Sequence, residues 1–169
     1  MSSSYPSLNS TQGAILIAMV QEVAPDDPHE RFLLVRTGNL NCALPISDVV
    51  RVVRMLRTHP VPGSRSHLVG LAQYGGDPMP VLDLQVLADG GVSNTRHHST
   101  VILGRGRQRG HSILGLAVDE ILRVVDLPKS VSVGADSDLV GDTVELGGRE
   151  VKVLNTRHLL LEERDDKGR

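Results

Sequence analysis

The sequence predicts an all-β fold made of two similar halves, each a small five-stranded barrel. Three observations carry this. The chain is aliphatic: aromatics are 2% of its 169 residues, and 23 Leu, 22 Val and 6 Ile supply the core instead. Its apolar residues come in short runs separated by Gly, Pro and Asn clusters, the pattern of strands and turns, not of long helices. The two halves also match each other. Leu44-Pro-Ile-Ser-Asp-Val-Val-Arg-Val-Val53 lies over Leu116-Ala-Val-Asp-Glu-Ile-Leu-Arg-Val-Val125 at an offset of 72 residues. Val81-Leu-Asp-Leu84 lies over Val153-Leu-Asn-Thr156 at the same offset, and two further matches follow at 71 and 68. A half of about 55–60 residues holds about five strands, and a sheet that small must curl to cover its edges.

Residues 1–30 read as a flexible extension, rich in Ser and ending in the acidic, Pro-containing stretch Ala24–Glu30. Within it, Ala14–Val23 is apolar enough for a short helix or an extra strand. Strands are expected at Phe32–Arg36, Cys42–Ile46, Arg51–Met55, Leu68–Gln73 and Met79–Leu82. Turns at Thr37-Gly38-Asn39, Pro60–Ser64 and Gly75–Pro78 separate them. A short helical run follows at Leu84–Ala88, and Asp89–His98 is a polar linker between the halves. The second half repeats the order, with strands at Thr100–Leu103, Ser112–Val118, Leu122–Asp126, Thr143–Leu146 and Glu150–Leu154. A short C-terminal helix is expected at 156–163. Asp83 and Asn155 precede the two helical runs at equivalent positions, where either side chain suits an N-cap. Asp48 and Asp119 are expected to start single helical turns. The first barrel then spans approximately 31–88 and the second approximately 99–155.

Net charge is −2, so the chain has no basic surplus for nucleic acid. The arginines of Arg105-Gly-Arg-Gln-Arg109 fit a solvated hairpin tip. Cys42 is the single cysteine, which excludes an internal disulfide; mid-strand, with no base beside it, it reads as a buried structural thiol. The His residues lack metal-ligand spacing, and no Gly-rich phosphate loop or nucleophile motif occurs. No apolar run reaches the length of a membrane helix, and no basic residue precedes Ala14–Val20 as in a signal peptide. The expectation is a cytoplasmic, non-enzymatic protein without cofactor, metal, nucleic-acid partner or membrane insertion.

The chain resembles the CheW-like domain of bacterial chemotaxis from about Phe32 to Leu161. The resemblance rests on Pro60-Val-Pro-Gly63, Leu68-Val-Gly-Leu71, Gly76 and Met79-Pro-Val-Leu-Asp-Leu84. Leu114-Gly-Leu-Ala-Val-Asp119 and Ile121–Leu127 extend it. It implies a single domain over 31–165 with two intertwined barrels, and an adaptor coupling a chemoreceptor's cytoplasmic tip to the regulatory domain of a CheA-type histidine kinase. It further implies a receptor groove between the barrels, using Val49, Val101, Gly115 and Ile121. Val49 and Ile121 match at offset 72 and are expected to be partly exposed, forming one apolar patch. The chain departs from the family at Gln73-Tyr74-Gly75-Gly76, where Gly75 replaces an arginine. It departs again at Arg51, where an acid is common. Arg51, Gln73, Tyr74 and Gly75 are therefore candidate partner-binding positions. They point to a second reading, a scaffold of a divergent pathway, such as one controlling surface motility, that binds kinase but not standard receptors.

Overall fold

The computed structural model describes residues 28–93, 96–104, 113–131, 133 and 138–160. The first half runs β1 (His29–Thr37), β2 (Leu40–Pro45), a 3-10 turn (Ile46–Asp48) and β3 (Val49–Arg54). It continues through β4 (Thr58–His59), β5 (Leu68–Tyr74), β6 (Asp77–Asp83) and helix α1 (Leu84–Asp89). The second runs β7 (Ser99–Gly104), β8 (Ile113–Val118), β9 (Glu120–Pro128), β10 (Val140–Leu146) and β11 (Arg149–Leu154), then a helix over 156–160. Every expected strand is present, and β4 is an addition. Ala14–Val23, the loop Arg105–Arg109 and residues 161–163 lie outside the described residues.

The strands form two sheets, ordered β10-β11-β2-β1-β9 and β3-β7-β8-β6-β5-β4. The two sheets interlock, as the intertwined fold implies: neither is a contiguous half. Each half lends its first hairpin to the other half's sheet. Apart from β4, the two orders are the same once each strand is replaced by its repeat equivalent. The registers repeat as well. Leu33↔Leu44 in β1–β2 corresponds to Val101↔Leu116 in β7–β8. Val153↔Ala43 in the parallel pair β11–β2 corresponds to Val81↔Gly115 in β6–β8. Even the irregularities match. The β3–β7 register skips Val50, and the β1–β9 register skips Leu122, 72 residues later.

The exchange explains why the central strands are apolar on both faces. Leu33 and Val35 join Leu44, Val49, Val101, Leu116 and Ile121 in a core between the sheets. Phe32 and Leu34, on the opposite face of β1, pack with Ala43, Val125 and Val153 against the outer face of the first sheet. Ile102 and Ala117 pack with Ala72, Met79 and Val81 on the outer face of the second. Strands buried on both faces read as continuous apolar runs, not alternations. The six-stranded sheet also curls. Its two edge strands, β3 and β4, are joined by residues 55–57 alone. That link reaches at most about 14 Å, whereas five flat strand spacings would span about 24 Å.

Local chemistry sets the ends of α1. Asp83 Oδ1 accepts the Val86 N–H at 3.2 Å, as its N-cap position predicts. Gly90 closes it in the left-handed region, its N–H donating to Val86 O at 2.8 Å. The equivalent backbone bonds Asp83 N to His67 O and Asn155 N to Leu139 O, both 2.7 Å, anchor the two helices alike. The helical turns expected at Asp48 and Asp119 are corrected. Asp48 ends a 3-10 turn that follows Pro45, and Asp119 lies in a bend with no helix. Their carboxylates have other partners: Asp48 accepts the Thr156 hydroxyl at 2.6 Å, and Asp119 accepts the Gly38 N–H at 2.7 Å.

Because each sheet needs strands from both halves, neither half should fold alone. Each buried Leu or Val left exposed costs about 1.5–3 kcal/mol. Separate chains ending at residue 93 and starting at residue 96 should give collapsed amide spectra individually and a dispersed spectrum when refolded together. A dispersed spectrum from either half alone contradicts the exchanged pairing.

Candidate functional site

The residues expected to line a groove are not on the surface. Val49 and Ile121 are 2% and 1% exposed, and Val101 is fully buried. All three sit in the core between the sheets. The expectation that Val49 and Ile121 are partly exposed is corrected. The reason is register: Val49 pairs with Leu103 and Ile121 with Val35, at equivalent places beside the two bulges. The bulge turns the next residue, Val50, outward, and it is 45% exposed. The two halves do converge there, as the repeat suggests, but inside the molecule. Gly115 faces inward too. A Cβ on it would stand 2.8 Å from Thr100 Cγ2 and 3.2 Å from Val81 Cγ2, so the parallel pairing of β6 with β8 needs a glycine or a local shift.

The other candidates are accessible. Arg51 is exposed on β3, an edge of the six-stranded sheet. Gln73 is exposed and Tyr74 half-buried at the end of β5. Gly75 and Gly76, both with positive φ, make the tight turn into β6. Tyr74, Val53 and Leu56 each pack against the same core cluster.

A charged cluster that residue-type reasoning missed joins the halves. His97 is in the linker, its side chain 13% exposed. Its Nε2 is 2.9 Å from Asp83 Oδ2, and its Nδ1 is 3.6 Å from Asp119 Oδ1, an electrostatic contact beyond hydrogen-bond range. The hydrogen bond to Asp83 raises the imidazole's affinity for a proton; burial opposes this, and the two carboxylate charges reinforce it. For Asp83, burial pushes the carboxyl up. Bonds from His97, Ser93 and the Val86 N–H outweigh it, so the group lies below its ordinary range. Both ring nitrogens face carboxylates, so neither is placed to serve a nucleophile. Glu120, next to Asp119, pairs instead with Arg36.

Little else in the described residues suggests reaction chemistry. An open hollow of 730 Å³ beside Asp119 is lined by Arg36, Asn39, Asn41, Arg149 and Glu150, with charges of both signs. Burial pushes the Cys42 thiol up to about 12, which leaves it protonated and inert at neutral pH. Among the described residues, no group of three or more His, Cys, Asp or Glu is arranged around a metal position. No described helix is long and apolar enough to cross a membrane.

Residues 31–164 match the family model of the CheW-like domain. The chain belongs to the CheW-like domain family. The crystal structure of the scaffolding protein TtCheW from Thermoanaerobacter tengcongensis superposes with a TM-score of 0.64. That match covers 82% of this chain and 92% of that one, at 17% identity, and so shows the fold. Protein FrzA of Myxococcus xanthus is 26% identical over 101 residues, 60% of this chain. The match spans 61% of FrzA's length.

Two predictions follow from this geometry. Val49→Asp should destabilise by about 3 kcal/mol or more, because it places a carboxylate in the shared core. Val50→Asp should change stability by less than about 0.5 kcal/mol. Urea unfolding measures both; equal effects contradict the register described. The second concerns His97. A raised imidazole pKa contributes stability that is fully present below the unfolded value of 6.5 and is lost as pH rises through the folded value. Asp83, held below 3.8, stays ionised throughout that window. The stability gap between wild type and His97→Gln should thus be widest near pH 6 and shrink towards pH 9. A constant gap over that range contradicts the assignment.

Proposed function

We propose that this protein is a non-catalytic chemosensory adaptor that couples chemoreceptor cytoplasmic tips to a CheA-type histidine kinase. The observation that carries this is the family match across the whole two-sheet unit, including both exchanged hairpins. A coupler needs two separate surfaces held in fixed relation, and two interlocked sheets sharing one core supply a rigid frame for them. Family scaffolds work by binding, and the inert Cys42 and the enclosed His97 fit a protein without covalent chemistry.

The partner-binding positions proposed are Arg51 on β3 and Gln73, Tyr74 and Gly75 at the β5–β6 hairpin tip. Val49, Val101, Gly115 and Ile121 support them from the core without touching a partner. A second reading has its own observation. Gly75 is a positive-φ turn residue with no side chain, where related domains carry an arginine. In that reading the protein binds kinase and not standard receptors, as a scaffold of a divergent pathway.

Binding of the full chain to a CheA-type regulatory domain, and separately to a receptor tip fragment, tests both readings. The adaptor reading predicts that both bind. Gln73→Ala with Tyr74→Ala should weaken at least one about tenfold, or about 1.4 kcal/mol. Kinase binding alone selects the second reading, and binding of neither contradicts both.

A further inference from the structure

The outer edge of the six-stranded sheet carries a run of unpaired positive charge. Arg51 and Arg54 on β3, and Arg57 just beyond it, are all exposed. Among the described residues none of the three forms an ion pair. On its inner side β3 pairs with β7; on its outer side it pairs with no described strand. Exposed apolar side chains flank the charges: Val50, just before Arg51, is 45% exposed, and Met55, just after Arg54, 65%. Solvated arginines protect a sheet edge from non-specific pairing, and the bulge at Val50 does so too. Exposed Val and Met do the reverse, because they reward any chain that covers them. Protection alone therefore does not account for Val50-Arg-Val-Val-Arg-Met-Leu-Arg57.

A second copy of β3 fits poorly. In the antiparallel register that pairs the whole strand, Arg51 of each copy faces Val52 of the other and lies diagonally beside its Arg54 on the same face, within reach of a long side chain, so like charges repel. The complementary chain is acidic, with carboxylates at the same three-residue spacing. We propose that β3 accepts an acidic extended segment of a partner protein as an added strand. Backbone pairing along the open edge supplies the affinity. Carboxylates against Arg51, Arg54 and Arg57 supply the selectivity, and apolar residues between and beside them cover Met55 and Val50. This goes beyond the adaptor reading and does not depend on which kinase or receptor the protein serves.

The test is an amide NMR titration of the full chain with the capped peptide Glu-Val-Thr-Glu-Val-Thr-Glu. The proposal predicts shifts confined to residues about 49–57 and slowed exchange of outward β3 amides. Arg51→Glu/Arg54→Glu/Arg57→Glu should weaken binding at least about tenfold, with melting unchanged. Arg51→Gln/Arg54→Gln/Arg57→Gln serves the same purpose if the charge reversal impairs folding. A peptide of equal charge with Pro in place of Val cannot pair as a strand and should bind at least about tenfold more weakly. Equal binding of the Pro peptide overturns the proposal, as does unchanged binding by the variants. Tighter binding of a short oligothymidylate of equal charge, or a dimer of the wild type lost in the charge-reversed variant, also overturns it.

Discussion

The structure depends on two parallel strand pairs that cross between the halves, β11 on β2 and β6 on β8. Everything local in the sequence builds antiparallel hairpins: β1 with β2, β5 with β6, β7 with β8 and β10 with β11. Hairpins alone would leave eight edges open and three apolar clusters uncovered. The parallel pairs join them into two sheets and place a common core between the sheets. Gly115 and Ala43 stand at equivalent points of these pairs, opposite Val81 and Val153. Small residues there let the strands approach while bulky neighbours fill both faces.

The shared core constrains the surface. A residue turned into the core between the sheets cannot reach a partner, however apolar it is, because its side chain is needed there. Val49 and Ile121 show this. Accessible apolar groups instead sit where the pattern is broken, at the Val50 bulge and at Met55. Polar tethers hold the same regions. Thr156 reaches Asp48 at the turn before β3, while Asp119 holds the β1–β2 turn and faces His97 in the linker. Each tether bridges residues remote in sequence, so the turns beside the exchanged hairpins are fixed from both halves.

Much of the fold was legible in the sequence because its signals are local. Apolar runs such as Phe32–Val35 and Val101–Leu103 marked strands, Gly75-Gly76 marked a hairpin turn, and Asp83 marked a helix start. The offset of 72 residues showed that the halves are alike. It did not show which strands pair, since Val153 beside Ala43 and Val81 beside Gly115 are contacts between halves that periodicity leaves undetermined. β4 was missed because two residues, Thr58 and His59, carry no periodicity. Val49 was misplaced because an aliphatic after Asp48 looks the same whether a bulge turns it or its neighbour outward. His97 was missed because a polar linker gave no sign that two carboxylates from β6 and the β8–β9 bend enclose it. Arg51 and the hairpin tip were singled out by comparison with the family pattern, and the fold shows that both are accessible.

Native-state hydrogen exchange tests the central claim, that the crossed parallel pairs make both sheets one cooperative unit. The amides of Ala43 and Val153 report the first crossing, and those of Val81 and Gly115 the second. Interlocked sheets predict that all of the protected amides among these exchange through one global opening, with the same free energy and the same denaturant dependence. Exchange at one crossing through an opening well below the global free energy, while the other stays closed, would contradict it and show two sheets that unfold independently.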